Sequence, residues 1–499
     1  MFEILDRQQT LTWNQRKIVF AAILGDMLDF FDYYLIGFVL AFIVGPWKLT
    51  YGESAIILLS SGLGAIPGAV FWGWMADRVG RRKVFIATVL NFSLATGIMA
   101  LTPDRGWIFL SIFRFFVGFG VAGLYAVDLP LVQEFVPTSK RGWASGLVTA
   151  TIPVGSALGA VSGAFLADIV GWRGLFIVGL LPAVLTLLIR AWVPESPHWL
   201  ISNGRPEEAR RSLAWALQTA HDTIELPVAL PETKRSAWRD IFQHPRSLAL
   251  SWLINLGNQT GGYGLVMWAP TLFVLLLKVT PAEASYLFIY ATIAGFLGRL
   301  VFSYLSDRIG RRPLGIVQSF GAMIPLALAG YFSDAFLGTI SVFWLLVVAD
   351  RFFGDGGYAI VGPYSAEVWP TRLRASGMGS AYGFGSLGKV VGPLGLALIV
   401  GSSDVVSPKA TLDAFFPAML YLSSWYLVAG CAFLFLGFET KGRSIEEIDG
   451  TLLASPVPSP NARARTQGTP RDRIPISKVC SLQWHRQAMR ACSGVAGSR

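Results

Sequence analysis

Residues Gly73 to Arg82 read G-W-M-A-D-R-V-G-R-R, and a near copy, S-Y-L-S-D-R-I-G-R-R, returns at Ser303 to Arg312. Each copy is a short basic turn between two apolar runs that are too long for the core of a soluble protein. The pair therefore divides the chain into two related halves. A second element repeats in the same order, since Glu134, Pro137, Thr138 and Arg141 recur with identical internal spacing as Glu367, Pro370, Thr371 and Arg374.

Of 499 residues, 53% are apolar and only 14% are charged, which is the composition of a membrane protein. The net charge of +10 does not point to nucleic acid. The basic residues sit in short turns between apolar runs and in one tail, where they act as orientation signals. The three cysteines, Cys431, Cys480 and Cys492, have no metal-ligand spacing and are too few for a disulfide framework. No cofactor or metal is expected.

A membrane-spanning helix needs about 20 apolar residues. Segments of that kind fall near 17–44, 54–76, 84–102, 107–133, 143–167 and 172–193, then near 248–277, 283–305, 313–332, 337–366, 375–400 and 414–438. The first has no small-residue cleavage site after it and is expected to be retained as a helix. The expected architecture is an all-α membrane protein of twelve transmembrane helices in two pseudo-symmetric six-helix bundles. The bundles cover 1–193 and 248–440, with a cytoplasmic linker at 194–247 and a cytoplasmic, largely disordered tail at 441–499. The linker carries one helix-forming run, Pro206 to Thr219, too short and charged to span. Loops with Arg78, Arg81, Arg82, Lys83, Lys140, Arg141, Arg308, Arg311, Arg312, Arg372 and Arg374 alternate with loops poor in basic residues. By the positive-inside rule both termini are cytoplasmic. Two related bundles imply a site between them near the bilayer midplane.

Charged side chains inside the spans mark that site, because they are costly in hydrocarbon. Asp26, Asp29 and Asp32 form a stripe on the first helix. Burial and mutual repulsion work against all three being ionised together, so at least one is a candidate proton carrier. Arg114 in the fourth segment needs a counter-charge, and Asp29 or Asp32 is the expected partner; the alternative is an arginine that snorkels to the interface. Asp355 stands four residues after Arg351, within pairing distance on one helix. Lys389, deep in the eleventh segment, has no acid within a helical turn and is a candidate holder of an anionic substrate or of a distant Asp. The seventh segment carries Asn255, Asn258, Gln259, Tyr263 and Trp268 around the double glycine Gly261-Gly262. That pattern suggests a locally loosened helix lining a wet, substrate-contacting cavity, with interhelix hydrogen bonding as the alternative.

With these residues in place the chain resembles the major facilitator superfamily from about Ile18 to Asp449. The carriers of the resemblance are G-W-M-A-D-R-V-G-R-R, the fourth-helix pattern R-F-F-V-G-F-G-V-A-G, and P-E-S-P-H-W-L and F-E-T-K-G-R at the ends of helices 6 and 12, as in the sugar-porter-like branch. His198 stands where that branch usually has Arg, and Phe438 where it usually has Pro. In the first helix D-F-F-D is similar to the D-G-x-D pattern of aromatic-acid and related metabolite proton symporters, with Phe30 in place of its glycine. The resemblance implies proton-coupled uptake with Asp29 and Asp32 as essential acids. It also implies a cytoplasmic charge network that latches the outward-open state, formed by Asp77, Arg78, Arg81, Glu134, Arg141 and Glu195 with Asp307, Arg308, Arg311, Glu367 and Arg374. Ser303 in place of Gly73 is expected to loosen helix packing in the second copy.

The function expected is proton-coupled import of a small organic acid or related metabolite across a bacterial inner membrane, by a monomeric unit that meets only substrate, protons and lipid. Sugar symport, proton-driven efflux and a sensor that keeps the fold without transport are the alternatives. No nucleophile triad, metal cluster or phosphate cradle suggests an enzyme.

Overall fold

The chain's computed structural model describes residue 5 and residues 8–137, 140, 144, 147–148, 150–224, 238–370 and 373–441. Arg141, Arg372 and the tail, and also the side chain of Asp307, lie outside what is described.

The first half opens with α1 (Trp13–Trp47), α2 (Tyr51–Val79), α3 (Arg81–Met99) and α4 (Trp107–Phe135). Next come α5 (Ile152–Val161), a single π turn at Ser162–Leu166, α6 (Ala167–Val178) and α7 (Leu181–Trp192). Linker helices α8 (Pro197–Ser202) and α9 (Pro206–Leu217) follow. The second half holds α10 (Pro245–Leu277), α11 (Pro281–Ile309), α12 (Arg311–Tyr331) and α13 (Val342–Glu367). It ends with α14 (Arg374–Ser386), α15 (Gly388–Val400) and α16 (Pro408–Cys431), which runs into a second π turn at Ala432–Leu436.

Local chemistry sets the helix ends. Thr12, Thr50 and Thr280 start α1, α2 and α11 with capping boxes completed by Gln15, Glu53 and Glu283, which satisfy first-turn amides that have no partner inside the helix. The repeated motif closes the other end. Gly80 and Gly310 sit at φ 111° and 116°, a conformation that only glycine takes without strain, and they let the chain reverse from α2 into α3 and from α11 into α12.

Among the described residues, ten helical segments are long and apolar enough to cross a membrane. One of these, Ile152–Val178, contains Gly171 at φ 69°. This break ends the fifth span four residues later than expected and starts the sixth at Trp172, which then continues through α7. The tenth span is α13, whose Asp350, Arg351 and Asp355 lower its mean hydropathy. Together these are the twelve spans of two six-helix halves. Val70, Leu101, Ile169 and Phe435 are all more than 70% exposed, as residues facing lipid must be.

The halves meet along α1 with α10, α2 with α15, and α5 with α11. Glycines allow the close approaches: a side chain at Gly37 would press on the Met267 carbonyl, and one at Gly62 on Lys389 and Val390. The linker packs on the first half. The Thr12 hydroxyl donates to the Ala216 carbonyl, and Asn14 Nδ2 donates to Trp215 O at 2.7 Å.

Candidate functional site

The α1 stripe is wholly internal. Asp26, Asp29 and Asp32 are no more than 1% exposed, and none of their carboxylate oxygens has a hydrogen-bond partner among the described residues. Their surroundings differ. Asp26 lies against Asp128 of α4, Asp32 stands beside Arg114 and Thr96, and Asp29 is influenced by Asp32, Asp128 and, from the other half, Lys389.

Arg114 is fully buried, which removes the snorkelling alternative. It also differs from the expected carboxylate pair. Its guanidinium donates to the main-chain carbonyls of Asp32 (3.1 Å) and Tyr33 (2.9 Å) and to Ser61 Oγ (3.1 Å). A helical carbonyl has a second lone pair, and the planar fork of Arg matches two successive ones. Arg114 thus fixes α1 beside the acid and leaves the Asp32 carboxylate without a direct ion pair among the described residues.

Lys389 enters from the opposite half. The eleventh span is continuous from Ser376 to Val400. Leu387, the single turn residue between α14 and α15, keeps a right-handed helical backbone at φ −58°, and Lys389, two residues on, lies inside the protein at 6% exposure. Its Nζ lies 4.9 Å from the ring centre of Tyr263, 5.4 Å from Tyr33 and 5.7 Å from Tyr382, a cation–π cage. Tyr33 meets Tyr263 edge-on at 5.6 Å, and Tyr34 stacks on Tyr263 at 6.0 Å. The cage is therefore made by α1 from one half and by α10, α14 and α15 from the other. Among the described residues no carboxylate forms a direct ion pair with Lys389. Tyr33, Tyr34 and Tyr382 escaped the sequence reading. Their one signal was the aromatic pair that directly follows the last α1 acid.

The α10 polar residues divide. Tyr263 is in the cage. Asn255 is committed to Ser251 O and Ser365 Oγ (2.8 and 2.7 Å). Asn258 and Gln259 are buried, with side-chain amides that have no partner among the described residues. Trp268 is fully buried and packs on Tyr51 at 5.8 Å, beyond the cage and at the end of the molecule away from the linker. The expected loosening is absent: α10 runs unbroken from Pro245 to Leu277. Its glycines serve packing instead, with Gly257 against the Trp425 carbonyl, Gly261 against the Tyr426 ring and Gly264 against Leu422 and Gly392. Asp355 pairs with Arg351 within α13, as the spacing suggested, and Asp350 beside them is fully buried.

At the linker end two matching charge clusters appear. In the first half Arg81 pairs with Glu134 at 2.6 Å, the Ser196 hydroxyl donates to Glu134, and Glu195 accepts the Arg82 backbone N–H at 3.0 Å. In the second half Arg311 pairs with Glu367 at 2.9 Å, Thr440 Oγ1 donates to Glu367 at 2.6 Å, and Glu439 accepts the N–H groups of Arg311 and Arg312 at 3.0 and 3.2 Å. Glu195 and Glu439 sit at the positive ends of α3 and α12, where a carboxylate is favoured. Ser196, Thr440 and Glu439 were missed as members, although each belongs to a motif that carried the resemblance.

The remaining gate residues are placed as follows. Arg78 lies over Trp74 at 4.2 Å and Arg308 over Tyr304 at 4.4 Å, Arg374 flanks Glu367, and Asp77 is exposed. The Arg81–Glu134 and Arg311–Glu367 pairs each lie within one half. Ser303 in place of Gly73 does not have the packing consequence expected of it, since no described atom lies within 4 Å of where a Cβ at Gly73 would be.

A twelve-span bundle with charged and aromatic groups gathered where its halves meet defines a multi-span membrane transporter. The comparisons agree and go further: the model of the sugar (and other) transporter family matches residues 17–452, and the chain belongs to that family of the major facilitator superfamily. It is similar to the niacin transporter NiaP of Acinetobacter baylyi, 32% identical over 436 residues, with 85% of this chain and 94% of that one covered. The cis,cis-muconate transport protein of the same organism is 27% identical over 398 residues, covering 79% and 89%. Among solved structures, the inward-open xylose transporter XylE from E. coli aligns with a TM-score of 0.68 at 19% identity, covering 88% of this chain and 99% of that one.

Proposed function

We propose that this transporter imports a small planar carboxylic acid together with a proton across a bacterial inner membrane, as a monomer with both termini and the linker in the cytoplasm. The observation that carries the reading is Lys389, a buried cation inside a tyrosine cage between the halves, facing Asp29. A buried ammonium without a direct partner favours an anion, and flanking aromatic rings favour a flat one. Relatives named for niacin and muconate transport support the same substrate class.

Coupling follows from charge. Three carboxyls on α1 meet two cations, Arg114 and Lys389. When the substrate anion takes Lys389, Asp29 loses its favourable neighbour and accepts a proton, so anion and proton load together and the site stays near neutral. Asp32, braced by Arg114, completes the relay, and Asp26 lies behind it. Asn258, Gln259 and Asp355 are proposed to line the second-half wall.

The gating residues fit alternating access. Arg81, Glu134, Glu195, Arg311, Glu367 and Arg374 form rigid intra-half clusters. Asp77, Arg78, Arg141, Asp307 and Arg308 make the cross-half contacts of the outward-open state. Closure of the halves away from the linker supports a state open to the cytoplasm.

A thermal-shift series with nicotinate, 4-hydroxybenzoate, muconate and hexoses tests this reading, because a ligand stabilises the state it binds. Stabilisation by the carboxylates and none by the hexoses is expected; stabilisation by hexoses alone would install the sugar-porter reading.

A further inference from the structure

The end of the molecule opposite the linker is closed by main chain. Residues 48–52 turn from α1 into α2, and residues 401–407 turn from α15 into α16. The two turns belong to different halves and pair as a short antiparallel bridge, Thr50 with Val405. Val406 N donates to Leu49 O at 2.9 Å, Tyr51 N to Asp404 O at 3.0 Å and Gly52 N to Ser402 O at 2.9 Å. Tyr51 Oη also reaches Ser407 O at 3.4 Å.

The donors explain the arrangement. Tyr51 and Gly52 are the first two residues of α2, and first-turn amides have no partner within their own helix. Here the opposite half supplies the acceptors. Geometry holds the bridge in place: Lys48 at φ 51° and Gly401 at φ 114° turn the two strands toward each other, and a Cβ at Gly52 would lie 2.7 Å from Ser402 O, so only glycine allows the approach. Tyr51 is fully buried and seals the space beneath by packing on Trp268.

We infer that this main-chain clasp is the outer gate: the halves are held shut on the periplasmic side by backbone hydrogen bonds between the α1–α2 and α15–α16 turns, and outward opening requires their release. The periplasmic assignment rests on the orientation proposed above. Because water satisfies the same amides and carbonyls once the turns separate, the clasp can open and reform without stranding a buried polar group.

Two measurements test it, in a background with Cys431, Cys480 and Cys492 changed to Ser. The pair Thr50→Cys with Val405→Cys is oxidised in proteoliposomes. Uptake of 4-hydroxybenzoate should fall to below about a tenth of the reduced value and return with reductant, while the thermal shift given by the same compound persists; unchanged uptake after complete cross-linking would overturn the gate. Separately, a reporter Tyr263→Cys is labelled with a membrane-impermeant maleimide in right-side-out vesicles, with Gly52 or with Gly52→Val or Gly52→Ala. Labelling about tenfold faster without Gly52 is expected, and equal rates would refute the role of the close approach. Faster labelling only in inverted vesicles would overturn the orientation and leave the clasp standing.

Discussion

Replacing Lys389 with Gln removes the ammonium from the tyrosine cage while keeping a polar, unbranched side chain. At about 4 Å and an effective dielectric of about 20, an ammonium and a carboxylate attract by about 4 kcal/mol. That is an upper bound, because both ions must shed water. A hydrogen bond to a charged group has a net value of about 1.5–3 kcal/mol, and each 1.4 kcal/mol is tenfold in affinity. Lys389 is 6% exposed, with rings on three sides at 4.9–5.7 Å, so solvent screening offsets little of this. Lys389→Gln should therefore weaken 4-hydroxybenzoate or nicotinate binding by about 10- to 150-fold, measured by titration calorimetry on purified protein. The matching primary amides supply the control: they carry no charge, and their weak binding should change by less than about threefold. A carboxylate Kd within about threefold of wild type in Lys389→Gln would refute the assignment.

Cation–π contacts contribute about 0.5–1 kcal/mol at exposed sites and about 2 kcal/mol when desolvated, so Tyr263→Phe should bind the same carboxylates nearly as wild type and Tyr263→Ala at least several-fold more weakly; equal losses in both would shift the role to the hydroxyl. Asp32→Asn should abolish proton-driven accumulation while sparing substrate exchange, and retained accumulation in vesicles with an imposed gradient would remove Asp32 from the relay. Glu195→Gln and Glu439→Gln each weaken a helix N-terminus by about 0.5–2 kcal/mol and should lower the Tm by similar amounts. If only one of them does, the two clusters are not equivalent. Asp77→Asn should slow transport without lowering the Tm, since its carboxylate makes no ion pair among the described residues, and a Tm loss as large as that of Glu195→Gln would contradict a purely cross-half contact.

Much of this arrangement was legible in the order of residues. The repeated D-R-x-G-R-R turn located both Gly80 and Gly310, because its glycine is required by backbone conformation. The α1 acids and Lys389 stood out because charge within an apolar run is expensive. Three things were hidden. The target of Arg114 is a pair of main-chain carbonyls, and carbonyls leave no mark in a sequence. The Gly261-Gly262 pair that invited a loosened helix serves close packing against Tyr426 and its neighbours. The tyrosine cage draws on three spans far apart in the chain, and the packing of α10 on α1 and on α14 and α15 brings them together around Lys389.

The most direct test of the central claim, that an anion on Lys389 loads a proton onto Asp29, is internal pH in proteoliposomes holding a pH-sensitive dye with no imposed gradient. Adding 4-hydroxybenzoate outside should acidify the lumen with the wild-type protein, at a rate that follows substrate uptake. In Asp29→Asn, radiolabelled exchange should continue with no change in lumen pH. Substrate-dependent acidification that survives in Asp29→Asn would contradict the account.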